Sequence, residues 1–83
     1  MVRKVFITGA TSGIGEAIAK AFQAEGAQVV ATGATLSEVE TARQKSANSG
    51  IDFRVLDVRD LSAVQLMVSS LSELDVVVNC AGV

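Results

Sequence analysis

The chain has 83 residues, 49% of them hydrophobic and 19% charged, with a formal net charge of -2. This length allows one small domain, the apolar share is enough for a core, and the charge is too sparse for a disordered chain. The acidic balance excludes the Lys- and Arg-rich footprint of a nucleic-acid binder, and a sequence without His, Tyr, Trp or Pro cannot alone run a mechanism that needs a His base or a Tyr acid.

Met1 to Lys4 followed by Val5-Phe6-Ile7 superficially resembles a signal peptide, but Thr8-Gly9 ends the apolar run too soon, and no stretch reaches membrane-spanning length. Val5-Phe6-Ile7 reads instead as a strand buried on both faces of a parallel sheet. Ile14, Ala17, Ile18, Ala21 and Phe22 then recur at helical spacing, with Glu16, Lys20, Gln23 and Glu25 on the other face and Gly26 as the stop. Val29-Val30-Ala31-Thr32, closed by Gly33, is the second strand. Thr35-Leu36-Ser37-Glu38 fits a capping box that opens a second helix running to about Ala47. Its thin stripe of Leu36, Val39 and Ala42 predicts an outer position with much of the helix wet. Asn48-Ser49-Gly50 reads as a turn.

Phe53-Arg54-Val55-Leu56 is the third strand, Asp60 caps a third helix, and Leu61, Val64, Met67, Val68 and Leu71 share one face of it. Val76-Val77-Val78 is the fourth strand. The order β-α-β-α-β-α-β, with short turns and no repeat or linker, predicts an α/β fold with a four-stranded parallel sheet in the order 3-2-1-4, because crossovers between parallel strands are right-handed. Cys80 is a lone cysteine with no internal disulfide partner, and no cluster of Cys, His and carboxylates has zinc-ligand spacing. A reducing compartment, the cytoplasm, is the expected location.

The turn after the first strand reads Thr8-Gly9-Ala10-Thr11-Ser12-Gly13-Ile14-Gly15. Gly9 serves a tight turn, Gly13 lets backbone approach a phosphate, and Gly15 permits close packing of helix on strand. The free amides around Ser12 to Gly15, with the helix dipole, make an anion site suited to a pyrophosphate. A nucleoside-triphosphate P-loop would need Gly-Lys-Ser/Thr where Ile14-Gly15-Glu16 stands, and is excluded. A glycine-rich turn without a ligand is the plainer alternative; the strand before and the helix after are the context that favours a ligand.

These residues give the chain its resemblance to the N-terminal part of the short-chain dehydrogenase/reductase family of NAD(P)-dependent oxidoreductases. Thr8 to Gly15 matches the family's TGxxxGIG loop, Asp57-Val58 matches the acidic residue after strand three, and Asn79-Cys80-Ala81-Gly82 matches NNAG with Cys for the second Asn. The resemblance covers residues 1–83 and implies a half of a three-layer Rossmann-like fold. It implies cofactor contacts from Gly9, Thr11, Ser12, Gly13, Ile14 and Gly15 of the loop. Asp57 would accept from the adenine amino group while the Val58 amide donates to a ring nitrogen; a turn-forming Asp is the plainer alternative. Asn79 would tie strand four to its neighbours and lie beside the adenosine ribose, with Ala81 and Gly82 small where the cofactor passes. Cys80 reads as inert.

Cofactor choice is read at the end of strand two, where an acid holds the 2′-hydroxyl of NAD or an Arg meets the 2′-phosphate of NADP. Thr32-Gly33-Ala34-Thr35 carries neither marker, and Ala34 and Thr35 leave NAD against NADP undecided. A complete member of the family is much longer, and its catalytic Ser, Tyr and Lys have no counterpart here. The expectation is therefore the cofactor-binding portion of an oxidoreductase, inactive alone. The alternative is a free-standing or constructed half-fold, non-catalytic, that binds nucleotide or is purely structural. No nucleic-acid or membrane partner is expected. The apolar edge of strand four, Val76 to Val78, predicts self-association or pairing with a missing half.

Overall fold

A computed structural model of the chain describes residues 2–46, 49–71 and 74–80. Four parallel strands, β1 (Lys4–Thr8), β2 (Gln28–Gly33), β3 (Asp52–Val55) and β4 (Val76–Asn79), form one sheet in the order β3-β2-β1-β4. Helices α1 (Gly13–Ala24), α2 (Leu36–Lys45) and α3 (Leu61–Ser70) connect them. The expected α/β class, strand order and helix number are all present. The register sets Val5 between Val29 and Val76, and Ile7 between Ala31 and Val78.

Because side chains alternate across a strand, Val5, Ile7, Val29, Ala31 and Phe53 share one face of the sheet. There they meet Ala19 of α1 and Val39 and Ala42 of α2 in a single core cluster. In α1, Ile18 and Phe22 of the expected stripe pack against this core beside the buried Gly15 and Ala19, whereas Ile14, Ala17 and Ala21 of that stripe face solvent. Ile14 is 77% exposed. The line through Gly15 and Ala19 shares Ile18 and Phe22 with the expected stripe, and the sheet takes it because its glycine lets the helix come close. The outer, wet position expected of α2 holds for most of the helix, although Val39 is fully buried.

On the opposite face Phe6, Thr8 and Thr32 are buried. The Thr32 hydroxyl has no hydrogen-bond partner among the described residues, a loss of about 1–3 kcal/mol against a paired hydroxyl. A right-handed return from β3 to β4 carries α3 across this face, where the Arg54 guanidinium reaches Met67 Sδ at 3.5 Å. No residue of α3 is buried, and Leu61 at its start is 73% exposed. The face expected of Leu61, Val64, Met67, Val68 and Leu71 is thus only partly covered. One ten-residue helix spans too little of a four-stranded face, and a cavity of about 420 Å³ lies between its C-terminal end and Val30, Asp52 and Arg54.

Turn signals map as read where the residues are described. Asp60 Oδ1 accepts from the Ala63 amide at 3.1 Å as the cap of α3, and Gly26 ends α1 with φ +89°. Asn48 and Ala47 lie outside the described residues. No helix among the described residues is long and apolar enough to cross a membrane.

Candidate functional site

The carboxyl ends of β1, β2 and β3 open on a pocket of about 480 Å³, the place where ligands of open α/β sheets sit. Its floor is the turn between β1 and α1. Gly13 holds φ +61° with nothing within 4 Å of where a Cβ would stand, so the backbone is bare on that side. Gly15 has the opposite constraint: a Cβ there would collide with the Gly9 carbonyl oxygen. The helix therefore starts pressed against the strand it follows. The Ala10 amide donates to Thr32 O at 2.9 Å and fixes the turn to β2.

The start of α1 differs from the other two helix starts. Ser12 occupies the cap position in extended backbone and makes no side-chain cap bond. The first intrahelical donor is the Glu16 amide, to Ser12 O at 3.4 Å, so the amides of Gly13, Ile14 and Gly15 precede the helical ladder. In α2 and α3 one such amide, that of Glu38 and that of Ala63, is served by the Thr35 and Asp60 side chains. Ser12, Ile14 and Gly15 line the pocket, which makes this end of α1 a set of donors with positive dipole character facing open space. Glu16 and Lys20, one helical turn apart on the polar face of α1, pair at 3.7 Å.

Two walls rise from that floor. On one side Gly33 ends β2 and Ala34 follows it, and a Cβ at Gly33 would stand 2.5 Å from Thr11 Cγ2. The capping box that follows is present in a shifted form: Thr35 Oγ1 accepts from the Glu38 amide at 3.2 Å, and Glu38 Oε2 accepts from the amide of Ala34 at 3.1 Å. On the other side stand Leu56, Asp57, Val58 and Arg59. Arg59 donates its backbone amide and Nε to Asp57 Oδ1, at 3.0 and 3.1 Å, and a terminal nitrogen to Oδ2 at 2.9 Å. The side-chain bonds from Arg59, then its amide, hold the Asp57 carboxyl below the usual carboxylate range against the smaller opposing effect of partial burial. The same contacts raise the Arg59 pKa.

The structure brings Gly9, Thr11, Ser12, Ile14, Gly15, Ala34, Asp57 and Val58 to this pocket. Gly13, the exposed first residue of α1, is not part of the lining, Thr35 is spent as a helix cap, and Asn79 is exposed at the end of β4 outside the lining. Asn79 Oδ1 accepts from the Thr8 hydroxyl at 2.7 Å, so it does tie β4 to β1 as its residue type implies. Ala81 and Gly82 lie outside the described residues. The lining also holds Gly33, Leu56, Glu38, Arg59 and Cys80, which were not expected there. Glu38 had been absorbed by its capping role. Arg59 was detectable as a cation two residues after Asp57, the reach of an Asx turn.

Comparison with known proteins agrees with this geometry. The family model described as short chain dehydrogenase matches residues 3–83. The NADP-dependent 3-hydroxy acid dehydrogenase of Salmonella typhi is 37% identical over 82 residues, covering 94% of this chain and 33% of that protein. The sulfoacetaldehyde reductase of Chromohalobacter salexigens is 41% identical over 70 residues, covering 83% and 28%. A crystal structure of actinorhodin polyketide ketoreductase with NADPH matches with a TM-score of 0.87 at 31% identity, over 99% of this chain and 34% of that one. The 2-keto-3-deoxy-D-gluconate dehydrogenase from Streptococcus agalactiae gives 0.86 at 32%, over 98% and 33%. The chain spans about a third of the length of these relatives.

Proposed function

The chain belongs to the short-chain dehydrogenase family, and from that premise we propose that it is the NAD(P)-binding portion of an oxidoreductase acting between an alcohol and a carbonyl. The observation that carries this reading is the uncapped start of α1 on the floor of the pocket, with a bare Gly13 beside it. NADP in the name of the Salmonella relative and NADPH in the ketoreductase structure support the cofactor class.

The residues present fit such a group. The amides of Gly13 to Gly15 donate to pyrophosphate oxygens, and the absence of a Cβ at Gly13 lets the backbone come close. Asp57 keeps acceptor capacity on Oδ2, which takes a single bond from Arg59, and this oxygen accepts from an adenine amino group while the Val58 amide donates to the ring. Leu56 supplies an apolar surface beside it. Asn79 holds β4 in register at the far side of the site, and Ala81 and Gly82 belong to the reading on sequence grounds alone. When bound, the cofactor supplies the hydride donor or acceptor. With no His or Tyr in the sequence, the chain's own residues bind and orient it and are assigned no proton transfer. Residues 1–83 are thus read as the N-terminal part of a dinucleotide-binding domain.

Two finer parts belong to the same proposal. The lone Cys80 supports a reducing, cytoplasmic location. Self-association, or pairing with a further segment, through β4 is supported by its one-sided pairing among the described strands and by Val77, which is 61% exposed. The binding reading is tested by titrating the 83-residue chain with ADP-ribose and following amide signals. Shifts at Gly13 to Gly15 and at Asp57 and Val58 are expected; a spectrum unchanged at millimolar ligand overturns it.

A further inference from the structure

We infer that Glu38 reads the 2′-position of the adenosine ribose and disfavours a 2′-phosphate, so that the chain prefers the unphosphorylated dinucleotide. The inference rests on the dinucleotide-binding reading of the pocket and assigns its cofactor preference to a residue in the first turn of α2.

The end of β2 is where an acid would ordinarily meet the ribose, and here Gly33 leaves that position without a side chain, with neighbouring side chains close against it. A Cβ at Gly33 would stand 2.5 Å from Thr11 Cγ2 and 3.3 Å from Val39 Cγ2. Ala34 carries no polar group and Thr35 is engaged as the cap of α2. The carboxylate reaches the same wall from one helical turn further on. Glu38 lines the pocket beside Gly33 and Ala34, and its Oε2 is held by the Ala34 amide at 3.1 Å. That bond orients the carboxylate with Oε1 left for a ribose hydroxyl to donate to. It also occupies the backbone donor that a phosphate at this wall would otherwise take.

The charges around the pocket act in the same direction. Arg59 is the cation of the lining, and it is held by both oxygens of Asp57. The three ionised groups of the lining, Glu38, Asp57 and Arg59, sum to one negative charge, and the pair leaves Arg59 no unspent charge to offset Glu38. A 2′-phosphate would add negative charge beside a fixed carboxylate, whereas a 2′-hydroxyl would gain an acceptor.

The test measures dissociation constants of the 83-residue chain for ADP-ribose and for 2′-phospho-ADP-ribose by amide-shift titration at low salt. The wild-type chain is expected to favour ADP-ribose by roughly fivefold or more, the scale of one exposed charge contact. Glu38→Gln, whose carbonyl still accepts from the Ala34 amide, is expected to bring the ratio to about twofold or less without changing the melting temperature. Glu40→Gln, on α2 but outside the pocket lining, removes the same charge and should leave the ratio unchanged. Equal binding of both nucleotides by the wild type, or a ratio that Glu40→Gln alters as much as Glu38→Gln, overturns the assignment of Glu38 while the binding reading stands. Failure of both nucleotides to bind overturns the two together.

Discussion

Two donor groups of Arg59, its backbone amide and its guanidinium, converge on the Asp57 carboxylate. An ionised carboxylate is the better acceptor, so Asp57 releases its proton more readily in the folded chain than in the unfolded one, where an ordinary Asp titrates near ~3.9. The sign follows: stability from this pair is fully present above that ordinary value and is lost as pH falls through the lower folded one. A carboxyl-carbon NMR titration should therefore place the Asp57 midpoint below that of a free Asp. Arg59→Ala removes the guanidinium but keeps the backbone amide, so it should raise the midpoint part of the way toward the ordinary range; a midpoint unmoved in the variant would mean that another group sets it. The pair is exposed, with Arg59 almost entirely in solvent, and its effect on the acid limb of stability should shrink as salt rises. Asp57 itself was legible from its place after a strand. Its partner was missed, although the turn-forming reading of Asp57 already brought a cation two residues on within reach.

The first helix carries the same contrast between what a pattern states and what it leaves open. Short apolar runs and glycine punctuation located all four strands, and Thr35 and Asp60 marked helix starts that the structure retains. The facing of α1 was legible in part: Ile18 and Phe22 turn inward as their spacing predicts, but two overlapping lines run through them and only contact with the sheet selects Gly15 and Ala19 over Ile14, Ala17 and Ala21. That contact depends on Gly15. Gly15→Ala should force helix and turn apart and cost about 3 kcal/mol or more, since the atom in the way is a backbone carbonyl. Gly13→Ala meets open space and pays only for a left-handed backbone, about 1–2 kcal/mol. Urea midpoints should rank the variants in that order, and the reverse order would contradict the close approach of α1 to β1. The facing of α3 was overstated for a different reason: its stripe is real in the sequence, but coverage depends on how much sheet one helix can span.

At the scale of the whole molecule, the sheet is finished on one face and open at one side. Helices α1 and α2 seal the face that holds the core, while α3 covers the other incompletely. Among the described strands β4 pairs only with β1, and exposed apolar edges invite pairing with another chain. The 83-residue chain should sediment as a concentration-dependent mixture at tens to hundreds of micromolar. Val77→Lys should weaken that association by about tenfold, the effect of a lysine on an edge strand. A sharp monomer across the whole range would count against association through β4. The edge position of β4 was readable from the strand order and its apolar run, whereas the incomplete cover by α3 was not, since the order fixes neighbours and not what covers them.

The bond from the Thr8 hydroxyl to Asn79 joins positions 71 residues apart, and the Lys4 amide reaches the Asp75 carboxylate across the same interval. Strand β1 is therefore made early and completed late. Its β2 side can close once Val29 has followed Val5, but its β4 side waits for Val76. Closing the longer loop costs only about 1 kcal/mol more in chain entropy, because that cost grows with the logarithm of length. The larger penalty is time. At roughly 5–20 residues per second of synthesis, one flank of the central strand stands unpaired on the ribosome for several seconds. For that interval the nascent chain offers a bare parallel edge, and a chaperone or neighbouring nascent chain meets it before β4 does.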